Sequence, residues 1–269
     1  MKPLLFAALM MAVVTHAAAE GVEVGKPSAL RTIIPAEQLE QQAGKQYRDM
    51  LKQADARQAL APAGHPQLVR LHTIARRILP HAARFNPRAA QWHWEVNLIG
   101  SKQINAFCMP GGKIAFYTGL LNTLKLTDDE VAMIMGHEIA HALREHAREQ
   151  AAKSSLTGLA GDVLSLLASG SRYGDLANIA ISAGEGLAVR AFSRDDERDA
   201  DLIGMELAAR GGFDPRAGIT LWEKMGKASK GAPPEFLSTH PSNDRRIQDI
   251  RQHLPDVMPL YERAQPSLQ

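Results

Sequence analysis

The apolar positions of the chain change spacing along its length, and each spacing predicts an element. Residues 3–14 form a continuous apolar run behind Lys2 and ahead of Ala17-Ala18-Ala19. That pattern reads as a secretory signal peptide over residues 1–19, cut before Glu20, with a run too short to span a bilayer. Residues 20–35 are punctuated by Pro and Gly and read as an extended lead-in. Residues 36–60 are rich in Gln, Ala, Lys and Glu and predict a polar helix on the surface, broken at Pro62, Gly64 and Pro66. Leu68, Leu71, Ile74 and Ile78 then recur at helical spacing as far as Pro80. Residues 94–99 alternate as a strand does. Residues 104–109 and 114–118 flank Pro110-Gly111-Gly112 and read as strand, turn and strand. Thr127-Asp128-Asp129-Glu130 is a capping box opening a helix to about Gln150. Ser193 caps a helix to Arg210, stopped by Gly211-Gly212, and Asp214-Pro215 opens another to about Ser229. Ser242 opens the last, which is expected to end before Pro255. The fold class is α+β, mainly helical, with a small β-sheet. The expected organisation is a helical segment over 20–90, a catalytic-sized domain over 91–254 and a tail over 255–269.

Composition narrows the class. Of 269 residues, 45% are hydrophobic and 22% charged, which excludes a disordered or fibrous chain. The balance of 31 Lys+Arg against 29 Asp+Glu gives +2 and argues against a nucleic-acid partner held by bulk charge. Cys108 is the single cysteine, so an intramolecular disulfide or a multi-cysteine metal site is excluded, and any metal must be held by His, Asp or Glu. Cys108 itself reads as a small buried apolar residue. The apolar stretch over 156–191 is interrupted by Asp162, Arg172, Asp175, Glu185, Arg190 and several glycines, so it is not a membrane span. The expected location is outside the cytoplasm, and the short basic start of the leader points to a periplasm.

The chemistry is concentrated in His137-Glu138-Ile139-Ala140-His141. Helix residues four apart lie on one face, so both imidazoles can bind one zinc ion while Glu138 reaches a water beside it. The flanking Val131, Ala132, Ile134, Met135, Ile139, Ala140 and Ala142 bury this helix, and buried histidines need partners. A catalytic zinc usually has a third protein ligand. Arg144 and Ala147 stand where a metzincin needs Gly and His, and His146 falls one place early, so that class is excluded. Glu197 is the best later candidate, with Asp201 four residues on and able to orient a ligand histidine. Spacing alone leaves Glu197 undecided against a solvated acidic face.

Four stretches in order resemble the HtpX-like, CAAX-prenyl-protease-like family of gluzincin metallopeptidases. They are Asn105-Ala106-Phe107 through Pro110-Gly111-Gly112-Lys113 to Tyr117-Thr118-Gly119-Leu120; the HExxH helix with Arg144-Glu145-His146; Ser193-Arg194 through Glu197 to Ala200-Asp201; and Ser238-Thr239-His240-Pro241 with Arg246-Ile247. The resemblance implies a zincin-like domain holding one zinc ion per chain on His137, His141 and Glu197. It implies Asp201 behind a ligand histidine, and Glu138 as general base for a zinc-activated water attacking a peptide bond. It makes His240 a donor to the developing oxyanion, or else the group that closes the metal site in a latent state. Arg246 anchors the His240 loop or faces the substrate; Asn105 and Gly112 fall on the substrate side or in the loop. The implied partners are unfolded or misfolded envelope polypeptides, laid along the strand at Lys113–Thr118 as an added strand. Residues 156–191 read equally as a flap over the site or a packed helical pair, and peripheral membrane contact is a weaker alternative. Against the family pattern, transmembrane helices, a lipoprotein cysteine and a C-terminal repeat domain are missing. Two other readings stay open: a latent, chaperone-like zinc protein, and a zinc hydrolase of cell-wall peptides. Oligomeric state is left open.

Overall fold

A computed structural model describes residues 21–156, 191–229, 234–241 and 244–265. The expected leader over residues 1–19, the 157–190 stretch and Ser242 lie outside the described residues. Helix α1 (Ala36–Ala56) buries Leu39, Ala43, Tyr47, Met50 and Ala54 on one stripe. It is otherwise polar, as its composition predicts. Helix α2 (Pro66–Ile78) starts with proline in its first turn and buries Leu68, Leu71, Ile74 and Ile78. Strands β1 (Glu95–Ile99), β2 (Ala106–Met109) and β3 (Lys113–Tyr117) form one sheet in the order β1-β3-β2. β3 pairs in parallel with β1, Glu95 opposite Lys113, and antiparallel with β2, Ala106 opposite Phe116. Period-two alternation splits the sheet between two clusters. Ile99, Met109 and Ala115 pack with the α1 stripe, and Val96, Leu98, Ile114 and Phe116 join the main core.

This topology corrects one expectation. The strand at Lys113–Thr118 is paired on both sides and buried from Lys113 to Phe116, so it offers no edge. The outer strands are β1, which Leu60 bridges at Ile99, and β2. The chain leaves β1, runs through β2, turns back at Gly111 and Gly112, and inserts β3 between the two. Gly112 has φ +79°, and a Cβ there would lie 2.7 Å from the Trp94 ring, so the turn admits only glycine.

A short helix α3 (Thr118–Leu124) follows β3 directly. Helix α4 (Asp128–Leu143) begins with the expected capping box, Thr127 and Glu130 bonding reciprocally, and is buried from Glu130 to Leu143. It does not run on to Gln150. Glu145 sits at φ +59°, and a new helix, α5 (His146–Leu156), starts beyond it. Helix α6 (Arg194–Arg210) carries a second capping box, Ser193 with Asp196. Helices α7 (Ala217–Ala228), α8 (Glu235–Thr239) and α9 (Asp244–Ala264) complete the described chain. α9 continues through Pro255 and Pro259 instead of stopping, so residues 255–264 extend a helix and are not a tail. Val257 and Leu260, three apart, are both buried in the main core. Their burial outweighs the two missing backbone donors.

α4 and α6 cross at glycine. A Cβ on Gly136 would lie 2.6 Å from the Gly204 carbonyl oxygen, and one on Gly204 would lie 2.6 Å from the His137 nitrogen. The two helices therefore touch backbone to backbone beside the first histidine of HExxH. Among the described residues, no helix is long and apolar enough to cross a membrane.

Candidate metal centre

Helical spacing on α4 places His137 and His141 one turn apart with their Nε2 atoms 3.1 Å from each other. From the first turn of α6, Glu197 brings Oε1 to 3.4 Å from His141 Nε2 and Oε2 to 3.6 Å from His137 Nε2. His240, just after α8, places Nδ1 2.9 Å from Glu197 Oε1 and 3.2 Å from His137 Nε2. The donor atoms of these four buried residues all lie within 4.8 Å of one another.

The ring hydrogen of His137 faces away from the cluster. His137 Nδ1 lies 3.0 Å from Asp201 Oδ1. A carboxylate only accepts, so Nδ1 carries the hydrogen and Nε2 is a bare lone pair. Burial, against the pull of Asp201 and Glu197, holds the His137 ring far below its usual range and neutral. Burial opposes ionisation of Glu197. The imidazoles of His141 and His240, with His137 and Arg246 nearby, nevertheless hold its carboxyl well below the ordinary value. Lone pairs and a carboxylate converging in a dry interior repel one another unless a cation sits between them. A set of imidazole nitrogens and one carboxylate suits zinc.

Glu138 lies beside this cluster. Its Oε1 is buried without a hydrogen-bond partner and 3.5 Å from His240 Nε2. Burial pushes its carboxyl up to about 8, against the lowering influence of His141 and Arg246, and the backbone N–H of Cys108 donates to it. Cys108 and Ala106 are the β2 residues whose backbone faces away from β3, since Tyr117 N–H reaches back to the Asn105 carbonyl. Burial pushes the Cys108 thiol well up, with Glu138 adding to the effect. A largely apolar cleft lies beside His141 and Cys108, lined also by Leu39, Trp92, Pro110 and Phe192.

Arg246, from α9, is buried against the acids of the cluster. Its Nε and Nη2 donate to the two oxygens of Asp201 at 2.7 Å each, and Nη1 pairs with Glu197 Oε2. The guanidinium lies 3.6 Å above the Trp222 ring, and Nη1 donates to the Pro241 carbonyl beside His240. Sequence leaves Arg246 between the loop and the substrate; its contacts are with the loop and the two acids. His137, Glu138, His141, Glu197, Asp201, His240 and Arg246 thus come together. Asn105 and Gly112 do not join them: Asn105 Oδ1 accepts from Ala106 N–H at the start of β2, and Gly112 makes the hairpin turn.

Sequence alone assigns no role to several neighbours. His146 Nδ1 lies 2.9 Å from His141 Nδ1, and Phe192 stacks on the His141 ring at 4.0 Å. Phe236 stacks on His240 at 4.5 Å. These aromatic positions look like ordinary core in a single sequence, and only tertiary packing turns them toward the site.

The sequence profile of peptidase family M48 matches residues 68–254, which include every member of the cluster. The chain belongs to peptidase family M48. Mitochondrial metalloendopeptidase OMA1 of Arabidopsis thaliana is 39% identical over 175 residues, 64% of this chain and 34% of that protein. The mitochondrial metalloendopeptidase OMA1 of Bos taurus is 32% identical over 235 residues, 80% of this chain and 40% of that protein. The Beta-barrel assembly-enhancing protease of Escherichia coli K12 is 30% identical over 200 residues, 71% of this chain and 39% of that protein. The matched part therefore spans roughly a third to two fifths of the length of these M48 relatives. The mostly helical architecture with a three-stranded sheet and the HExxH helix at its centre is the zincin-like fold that the M48 resemblance implies.

Proposed function

We propose that this M48 chain is a zinc-dependent endopeptidase acting on unfolded or misfolded polypeptides of the cell envelope. The observation that carries the reading is the buried set of His137, His141, Glu197 and His240, with the Glu138 carboxylate turned to it. His137, His141 and Glu197 hold one zinc ion in this reading. Bound zinc supplies Lewis acidity, activating water and polarising the scissile carbonyl. Glu138 takes the proton from the attacking water and returns it to the leaving amine, from its place beside the donor set. Asp201 fixes the tautomer of His137, and Arg246 neutralises the two buried acids and ties the His240 loop to them. His240 donates to the developing oxyanion.

The substrate adds to the outward edge of β2, where the Ala106 and Cys108 backbones face away from β3, and not to β3. Strand addition satisfies the backbone of any extended chain, which suits an enzyme with weak sequence preference. The apolar cleft beside His141 receives a side chain next to the cut. A periplasmic location rests on the leader over residues 1–19 and on a relative named for β-barrel assembly; other relatives are named as mitochondrial.

The test is cleavage of casein by the purified chain, abolished by a chelator and restored by zinc. A second reading, a latent zinc protein that binds chains without cutting them, is favoured by one observation. With His240 the donor set already has four members, the number found in closed structural sites. His240→Ala separates the two: it lowers cleavage if His240 serves the reaction and releases cleavage if His240 closes the site.

A further inference from the structure

Five residues separate His141 from His146, which on a continuous helix sets their side chains about 140° apart. The chain does not keep to that geometry. α4 stops at Leu143, and Glu145 takes the left-handed conformation, which a non-glycine residue keeps only where its surroundings hold it. Ion pairs from Arg31 at 3.0 Å and Arg148 at 2.9 Å hold the Glu145 carboxylate in place. The result is that His146 folds back, buried, with Nδ1 2.9 Å from His141 Nδ1. On its other side His146 Nε2 lies 3.4 Å from Asp196 Oδ1. Asp196 is anchored in turn, since its Oδ2 accepts from Ser193 N–H at the start of α6.

We propose that His146, held by Asp196, is the positioning residue for His141: it accepts the Nδ1 hydrogen of His141 and thereby leaves Nε2 free for the metal. The proposal rests on the zinc reading of the site. Asp196 faces His146 Nε2 at ion-pair distance, not in a hydrogen bond; its negative charge favours the His146 hydrogen on Nε2, which leaves a lone pair at Nδ1. His141 must then place its hydrogen on Nδ1, and its Nε2 faces the cluster bare. His137 reaches the same state through Asp201. Both ligand histidines are thus set from one helix, α6, whose residues 196, 197 and 201 supply a relay, a ligand and a direct acceptor.

The experiment uses the full chain with His146→Leu, His146→Asn and Asp196→Asn, reading zinc affinity by chelator competition and unfolding of the zinc-free form. His146→Leu fills the space without an acceptor and is expected to weaken zinc binding about 10- to 100-fold. His146→Asn offers Oδ1 near the place of Nδ1 and restores affinity to within a few-fold of the parent. Asp196→Asn keeps the cap to Ser193 but presents a donor to His146, so affinity falls while zinc-free unfolding stays near that of the parent. Nitrogen chemical shifts of His141 report the tautomer directly, and in the parent they place the hydrogen on Nδ1. Parent-like affinity in His146→Leu, an Asn variant as weak as Leu, or His141 protonated on Nε2 in the parent each overturns the proposal. Should His146→Leu not fold, the tautomer of the parent and the Asp196→Asn affinity decide it. A parent that binds no zinc overturns the functional reading itself, and that outcome is separate from any difference among the variants.

Discussion

Replacing Gly204 with alanine presses on the point where the two metal-bearing helices meet. The new Cβ would lie 2.6 Å from the His137 nitrogen, about 0.8 Å short of the 3.4 Å where ordinary contact begins. Backbone cannot swing aside as a side chain can, so α4 and α6 must separate by several tenths of an ångström. Overpacking of this kind costs about 1–3 kcal/mol. For a chain of this size that corresponds to a fall of about 2–12 °C in Tm. The same separation carries His137 away from Glu197 and Asp201, which sit on the opposite helix, so zinc affinity falls as well. Gly226 is the control: it lies inside α7, and a methyl group added there would meet no atom within 4 Å. Gly226→Ala should gain about 1 kcal/mol from helix propensity and leave zinc binding unchanged. The assay is thermal unfolding of both variants, zinc-free and zinc-loaded, with chelator competition alongside. Gly204→Ala behaving like Gly226→Ala would refute the close crossing as the device that sets ligand geometry.

Two further predictions follow from charges. Arg246→Met leaves the buried Asp201 and Glu197 carboxylates without their guanidinium, so the zinc-free chain should lose about 3–5 kcal/mol in a denaturant titration; a loss below about 1 kcal/mol would contradict that pairing. Burial raises the pKa of Glu130, but Lys224, Thr127 and Thr220 outweigh it and hold the carboxyl below its ordinary value. A depressed carboxylate contributes its full stability above the unfolded pKa of about 4.5 and loses it as pH falls through the folded value. The parent should therefore lose more Tm between about pH 5 and pH 3 than Glu130→Gln does; parallel profiles would show that the pair contributes nothing.

The parts of the fold legible in sequence are those written in local pattern. The capping box at Thr127 and the cap at Ser193 open helices at those residues, because a side-chain oxygen three positions from its amide is a local interaction. Pro110-Gly111-Gly112 turns the chain because its glycines take positive φ. The HExxH spacing brings His137 and His141 together through helix geometry alone. What local pattern does not carry is set by distant partners. Insertion of β3 between β1 and β2 depends on pairing across the sheet, so strand pattern alone puts the free edge on the wrong strand. Pro255 and Pro259 are stop signals by composition, yet Val257 and Leu260 bury a continuing helix. The break at Glu145 is invisible in composition because Arg31, far back in the chain, supports it. By spacing, His146 is only a misplaced third ligand and Asp196 only one charge in an acidic turn; the break at Glu145 and the approach of α6 bring the two together. Glu197 shows the same limit: spacing leaves it undecided, and the folded chain brings it to both histidines.

A pair of measurements on one preparation tests the metal centre and its base most directly. The parent and Glu138→Gln are each assayed for zinc per chain and for cleavage of casein. About one zinc in both, with cleavage in the parent alone, is the predicted result, because Glu138 lies beside the donor set but is not one of its members. Equal cleavage by the two chains would contradict Glu138 as the base, and no zinc in either after supply would contradict the metal centre.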